Sequence, residues 1–153
     1  MKLTFAPRGI LQINEARLVY RNFRGEGSKY NREGDRNFSI VIESKEMADA
    51  LVERGWNVKV NTPDDPDELP FITLPVKVKF NDRGPNVYLV IGEKTVRLYE
   101  DTVKRLDEID IICANLDIRP YNWEVNGKTG VSAYLKSIEV FQDVDRFSAK
   151  YED

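Results

Sequence analysis

Alternation of apolar and polar side chains is the sequence feature that most limits how this chain folds. In the segment 71–80, Thr73, Lys77 and Lys79 stand between apolar residues that occur at every second position. Successive side chains of a β-strand point to opposite faces, so this pattern predicts a strand with one buried face. The same period of two occurs in four further segments, 10–23, 37–43, 108–119 and 131–141. The chain is therefore predicted to consist mostly of strands.

Helical spacing interrupts this alternation in two places. The segment 45–54 has apolar residues at i, i+3 and i+4, preceded by Ser44 as an N-cap and followed by Gly55, so a helix is predicted there. A second, short helix is predicted over 101–106. Short additional strands are predicted over 56–60, 87–91 and 95–99.

Turn signals and a shift in apolar parity complete the expected strand pattern. Loops are predicted over 24–35 and over 121–130, the second with Asn126-Gly127 as a strong hairpin-turn signal. In the last strand the apolar parity shifts near Lys136, which predicts a β-bulge. In the strand 108–119 the face predicted to enter the core consists of Ile112, Ala114, Leu116 and Ile118.

The order of these elements is typical of an OB-fold. A long first strand, a second strand, hairpin strands, a short helix and two final strands match a five-stranded Greek-key barrel with a helix before its fourth strand. We predict an all-β chain, β-rich with small helices, in which the helix 45–54 and the hairpin strands are additions to that barrel. Residues 1–142 are expected to form this domain, and residues 143–153 a short acidic C-terminal tail. Another small all-β barrel or sandwich is the alternative.

Charge is distributed unevenly along the chain, whose formal net charge is −3 over 153 residues. Six cations against three anions give the segment 17–36 a net charge of +3. The proline-rich segment 62–70 carries −4, and the segment 137–153 carries −3. A negative total therefore leaves room for a local basic groove. The acidic end is expected either to recruit partner proteins, to shield that groove or simply to solubilise the chain.

The absence of histidine excludes the commonest catalytic groups, among them the Ser-His-Asp and Cys-His sets and the histidine metal ligands. A single cysteine, Cys113, excludes internal disulfides and cysteine zinc sites. Asp35 and Glu43 have the residue types of a metal-dependent nuclease, yet they bracket one strand about 26 Å long. We therefore expect no catalytic residue, no metal and no cofactor. No signal peptide or long apolar stretch is present, so we expect an intracellular protein that contacts no membrane.

Basic residues alternate with aromatic ones in both predicted loops and on the neighbouring strands. Cations track phosphates, and flat rings stack on unpaired bases whatever their identity, so this combination predicts a single-stranded nucleic-acid site. We expect the phosphates to be neutralised by Arg21, Arg24, Lys29, Arg32, Arg36, Lys77, Lys79, Lys128 and Lys136. We expect the bases to stack on Tyr30, Tyr121, Trp123 and Tyr134.

Several longer stretches extend this pattern, among them Tyr20-Arg21-Asn22-Phe23, the segments 30–38 and 55–58, the segment 120–128 and Ala133-Tyr134-Leu135-Lys136. Through them the chain resembles, from about residue 10 to residue 141, the small OB-fold single-stranded DNA-binding proteins of tailed bacteriophages and prophages. The resemblance implies an accessory protein of phage DNA replication or recombination in the cytoplasm of a host bacterial cell. It also implies work beside a strand-annealing recombinase or replication proteins.

The sequence thus predicts a non-enzymatic protein that binds single-stranded DNA with little sequence preference. Self-association into a homo-oligomer is left open. One alternative is an OB-like module that binds other proteins and no nucleic acid. The other is a metal-dependent nuclease whose acids are not paired by any diagnostic spacing.

Overall fold

The structure, a computed structural model, describes residues 1–144. Within these residues it contains ten strands, one α-helix and two short 3-10 turns. The strands are β1 (Lys2–Phe5), β2 (Leu11–Ala16), β3 (Leu18–Asn22), β4 (Arg36–Val41), β5 (Lys59–Asn61), β6 (Phe71–Val78), β7 (Asn86–Ile91), β8 (Lys94–Leu98), β9 (Ile111–Val125) and β10 (Lys128–Gln142). The predicted acidic tail falls almost entirely outside the described residues.

Five strands form a barrel, which closes because the two halves of the long first strand pair with different neighbours. β2 and β3 are its two halves, separated only at Arg17. β2 pairs with β9, β9 with β10, β10 in parallel with β6, β6 with β4, and β4 with β3. The path therefore starts and ends on the same long strand, as in a Greek-key OB barrel. This confirms the predicted fold class.

The barrel interior is filled by the alternating apolar residues of these strands. Within it the buried rings of Phe23, just after β3, and Phe38, on β4, stack with centroids 5.0 Å apart. Leu74, Val76 and Val78 of β6 are buried as the alternation predicts, and Lys77 between the two valines is exposed, whereas Thr73 is also buried. The core face of β9 and β10 consists of Ala114, Leu116, Ile118, Ala133, Leu135, Ile138 and Val140.

One residue expected in the core, Ile112, lies instead on the surface, where its side chain is 63% exposed. Cys113 pairs with Phe141, but Ile111 pairs with Gln142, so two residues of β9 oppose one of β10 at this point. Such a bulge reverses the inside-outside parity of the strand. The predicted bulge near Lys136 is confirmed by the shift of register between Leu135 and Ser137.

The helical predictions are confirmed with small changes of boundary. Helix α1 covers Lys45–Glu53, and the Ser44 hydroxyl accepts a hydrogen bond of 3.2 Å from the backbone N–H of Met47. The second helix is a 3-10 turn over Val103–Asp107. Among the described residues, no helix is long and apolar enough to cross a membrane.

The loop predicted over 121–130 is wrong, because β9 and β10 continue through it and form one long hairpin. Only Asn126 and Gly127 interrupt the pairing, with φ angles of 51° and 78°. Both faces of this end of the hairpin contact solvent, so it lacks the apolar alternation that marks a half-buried strand. The short strand β1 was also not predicted, and it pairs with β2 at an edge of the sheet.

Replacing Ser44 with alanine removes the only side-chain cap seen at the start of α1 among the described contacts. We expect the free energy of unfolding to fall by about 1 kcal/mol, measured by urea denaturation. Ser44→Asp keeps an acceptor at this position and should retain most of the stability. Equal stability of Ser44→Ala and the parent chain would contradict this role.

Candidate nucleic-acid interface

A groove of about 630 Å³ crosses the outer face of β4 and β6, bounded by the loop 25–35 on one side and by β10 on the other. The predicted site residues that line it are Tyr30, Arg32, Arg36, Lys77, Lys79 and Tyr134. Residues from three strands and one loop thus meet in one place. This is the face expected from the OB-fold, whose strands 2 and 3 and first and last loops hold oligonucleotides.

Strand register sets a row of polar side chains across the centre of this groove. Asn37 of β4 pairs with Lys77 of β6, Lys77 with Tyr134 of β10, and Tyr134 with Arg119 of β9. Partners in register project from the same face of a sheet. The Lys77 Nζ lies 5.6 Å from the centroid of the Tyr134 ring. A cation and an aromatic ring therefore lie side by side on the outer surface.

A second ring extends this row toward the hairpin. Tyr121 of β9 lies with its ring centroid 5.6 Å from that of Tyr134, at an interplanar angle of 57°. More than half of the Tyr121 side chain is exposed. The two rings form an aromatic pair on the β10 side of the groove, in which Tyr134 lines the groove and Tyr121 lies beside it.

The loop 25–35 is held in one conformation by the side chain of Asn31. Its Nδ2 donates to the backbone carbonyls of Glu26 at 2.8 Å and Asp35 at 3.0 Å. Its Oδ1 accepts from the Nδ2 of Asn37, on β4, at 2.9 Å. One backbone hydrogen bond, donated by the N–H of Gly34 to the carbonyl of Gly25 at 2.8 Å, closes the loop at its base. The loop is therefore ordered although it contains no strand pairing with the barrel.

On this ordered loop Tyr30 is 91% exposed. The Lys29 Nζ lies 5.6 Å from its ring centroid, and the Arg32 guanidinium is exposed and forms an ion pair with Asp35 at 3.5 Å. Because the backbone that carries this exposed ring is already ordered, stacking on a ligand costs only the conformational entropy of the side chain. The loop thus presents a second stacking surface opposite Tyr134.

Two predicted phosphate ligands, Arg21 and Arg24, do not line the groove. One nitrogen of Arg21 donates to the carbonyls of Leu106 and Ile109, both at 2.7 Å. Arg24 forms ion pairs with Asp107 at 3.3 Å and with Glu108 at 3.0 Å. Both guanidinium groups hold the 3-10 turn Val103–Asp107 against the end of β3 and are not part of the groove.

Asp107 completes this anchor at the start of the loop. Its carboxylate accepts hydrogen bonds from the backbone N–H groups of Phe23 at 2.8 Å and Arg24 at 2.9 Å. The side chain is only 9% exposed, which strengthens these charge-assisted bonds. Asp107 therefore sets where the chain leaves β3 and enters the loop.

Five further predicted residues also lie outside the lining of the groove: Lys29 and Tyr121, which contact the rings of Tyr30 and Tyr134, and Trp123, Lys128 and Lys136. The half-buried ring of Trp123 covers Gly130, its partner in register, so closely that a Cβ there would clash with the ring. Lys128 lies next to the hairpin turn, and Lys136 is the exposed bulge residue of β10. Arg36 is present in the groove but half-buried, with its guanidinium 5.8 Å from the Phe80 ring centroid.

The acids considered for metal binding are separated by a whole strand. Asp35 precedes β4 and Glu43 follows it, and Asp35 is paired with Arg32. Within residues 1–144, no three acidic or cysteine side chains are grouped so that they could hold a metal ion. Burial raises the pKa of the Cys113 thiol above its usual value, and the nearby Glu15 carboxylate raises it further. The thiol is therefore protonated at neutral pH.

Residues 3–153 match the model of the family described as "Putative phage ssDNA-binding domain". The chain belongs to this family. Its fold is similar to that of the single-stranded DNA-binding protein from bacteriophage Enc34, with a TM-score of 0.57 and 16% identity over 100% of this chain and 97% of that one. The structure of the Enc34 protein in complex with ssDNA gives a TM-score of 0.59 and 15% identity, covering 95% and 93% of the two chains. No curated protein sequence matches the chain.

Three residues of the interface were missed from the sequence: Asn31 and Asn37, which line the groove, and Arg119, which pairs with Tyr134 beside it. Arg119 alternates with Tyr121 and Trp123, so an extended β9 would have placed it on the same face. Asn31 and Asn37 have no charge or ring to mark them, and their roles follow from hydrogen bonds between the loop and β4. No sequence signal identifies these two residues.

Replacing Asp107 with asparagine turns one carboxylate oxygen into an NH₂ group facing a backbone N–H. We expect the free energy of unfolding to fall by about 1 kcal/mol, because one of the two backbone donors, the part-buried N–H of Phe23 or the exposed N–H of Arg24, loses its acceptor. Urea denaturation measures this, and amide hydrogen exchange should show faster exchange at Phe23 and Arg24. Asp110→Asn, at an exposed position, is the matched control. Unchanged exchange at both amides would contradict the anchoring role.

Proposed function

We propose that this protein binds single-stranded DNA with little sequence preference and catalyses no reaction on it. The observation that carries the proposal is the row of Asn37, Lys77, Tyr134 and Arg119 across four strands, in which a cation lies beside a ring. Phosphates and unpaired bases alternate along a single strand, and this row offers one partner for each. Membership of a family of phage ssDNA-binding domains supports the proposal.

The charge of the groove favours a polyanion although the whole chain is negative. Four cations and two acids line it, so its local charge is +2 against −3 for the chain. One of these acids, Asp35, is already paired with Arg32. Lys77 and Lys79 are exposed and have no salt-bridge partner among the described residues. They are the side chains best placed to neutralise phosphates.

The rings of the interface favour single strands over duplex; those of Tyr30 and Tyr121 are exposed and that of Tyr134 is half-buried. Tyr30, Tyr121 and Tyr134 can stack only on bases whose faces are uncovered, and in a duplex these faces are stacked on neighbouring pairs. Every base has such a face, so binding depends little on sequence. The Enc34 protein, which has a similar fold, has been solved in complex with ssDNA, and this supports the proposal.

A protein of this kind in a phage acts where single strands are exposed, during replication and recombination in the host cytoplasm. We extend the proposal to that setting, supported by the phage origin of the family. A strand-annealing recombinase or replication proteins as partners, the boundary at residue 142 and self-association stay predictions from the sequence.

Removing the two exposed lysines should change the salt dependence of binding. For single strands, log K falls against log[salt] with a slope of about −0.7 per neutralised phosphate. We expect Lys77→Ala/Lys79→Ala to make the slope shallower by about 1.4, measured by fluorescence anisotropy of a labelled oligothymidylate. Lys45→Ala/Lys94→Ala removes the same charge outside the groove and should keep the parent slope. A parent affinity that is independent of salt would sink the phosphate part of the proposal.

Removing the ring of Tyr134 should weaken binding without changing the fold. A stacked base contributes about 1–3 kcal/mol, so Tyr134→Ala should raise Kd by about 5- to 150-fold. Tyr134→Phe keeps the ring and should bind within about twofold of the parent. The same titration measures both, and circular dichroism checks the fold. Similar affinities for the alanine and phenylalanine variants would show that the ring stacks on no base.

A further inference from the structure

A second cleft continues the groove toward the other end of β6. It has a volume of about 350 Å³ and shares Ser39 and Pro75 with the groove. Beyond these two residues it is bounded by Tyr20, by β5 and by Phe71. The two depressions therefore lie on one continuous outer face.

Tyr20 supplies an exposed ring at this cleft. It belongs to β3, yet its ring contacts Phe71 of β6 edge-on, with centroids 6.3 Å apart and an interplanar angle of 89°. The side chain is 66% exposed. Its backbone has φ of 52°, in the left-handed region that non-glycine residues rarely adopt. The irregular pairing of β3 between Val19 and Asn22 makes room for this conformation.

The charge of the cleft suits the same ligand as the groove. Lys59 is the one ionisable side chain besides Tyr20 among its lining residues, and it is exposed. No acid lines the cleft within the described part of the chain. The acidic segment 62–70 follows β5 directly, so a phosphate chain meets repulsion beyond this point.

The two depressions are far enough apart to be occupied separately. Lys77, at the centre of the groove, and Phe71, at the cleft, are six positions apart along β6, which corresponds to about 20 Å at strand rise. A short oligonucleotide occupies one of them, whereas a longer strand spans both.

We propose that the cleft beside Tyr20 is a second base-binding subsite for the same single strand, in which the Tyr20 ring stacks on a base and Lys59 meets a phosphate. This inference rests on the proposed function and adds the direction in which the DNA runs, from Tyr30 over Tyr134 and Pro75 to Tyr20. The groove, with its larger number of rings and cations, is the primary subsite.

The test measures affinity against oligonucleotide length. Tyr20→Asn removes the ring and tolerates a positive φ. Kd is measured for oligothymidylates of about 4 and about 16 nucleotides, the limits of what one OB-fold occupies. We expect the variant to bind the long oligomer about 5- to 150-fold more weakly and the short one as the parent does. Tyr99→Asn, an exposed tyrosine outside both depressions, should leave both affinities unchanged.

A second variant keeps the proposal testable if Tyr20→Asn does not fold, as judged by circular dichroism. Lys59→Gln should make the salt slope shallower by about 0.7 for the long oligomer only. An equal loss for short and long oligomers, or no loss for either, overturns the second subsite. In the latter case Tyr134→Ala still weakens both, and the proposed function stands. Failure of the parent chain to bind any oligomer overturns the proposed function itself.

Discussion

Burial of Val76 and Val78 is the constraint on which the interface depends. Their side chains enter the barrel core, and because strand side chains alternate, Lys77 must project outward between them. The parallel pairing of β6 with β10 then sets Tyr134 beside Lys77. A slip of one residue would bury the lysine and expose two valines. The chemistry of the groove is thus specified by the packing of the core behind it.

In the loop 25–35 and in the 3-10 turn next to its start, single polar side chains organise the irregular backbone. Asn31 satisfies the backbone carbonyls of its own loop, and Asp107 satisfies backbone N–H groups where the loop begins. Both use single polar side chains to replace the hydrogen bonds that a strand would make. Tyr30 is consequently exposed on a scaffold that is already ordered, and stacking requires little further ordering of the backbone.

Local patterns in the sequence predicted those parts of the fold that depend on burial of one face. The strands of the barrel, the bulge at Lys136 and the turn at Asn126-Gly127 follow from alternation and turn chemistry. The extension of β9 and β10 did not, because both faces there meet solvent. Arg21 and Arg24 resembled phosphate ligands since their acceptors lie more than 80 residues away along the chain. Only tertiary contacts distinguish a structural arginine from a free one.

The groove and the chain as a whole have net charges of opposite sign, so positive charge is concentrated at the groove. A polyanion is attracted to the groove and gains no such attraction from the rest of the surface, so the charge distribution favours encounters at the groove. When the two molecules meet in another orientation, they separate before water has been removed from their surfaces. Although the net charge of the chain is only −3, its uneven distribution therefore makes the rate of productive encounter with DNA depend on the orientation of the protein.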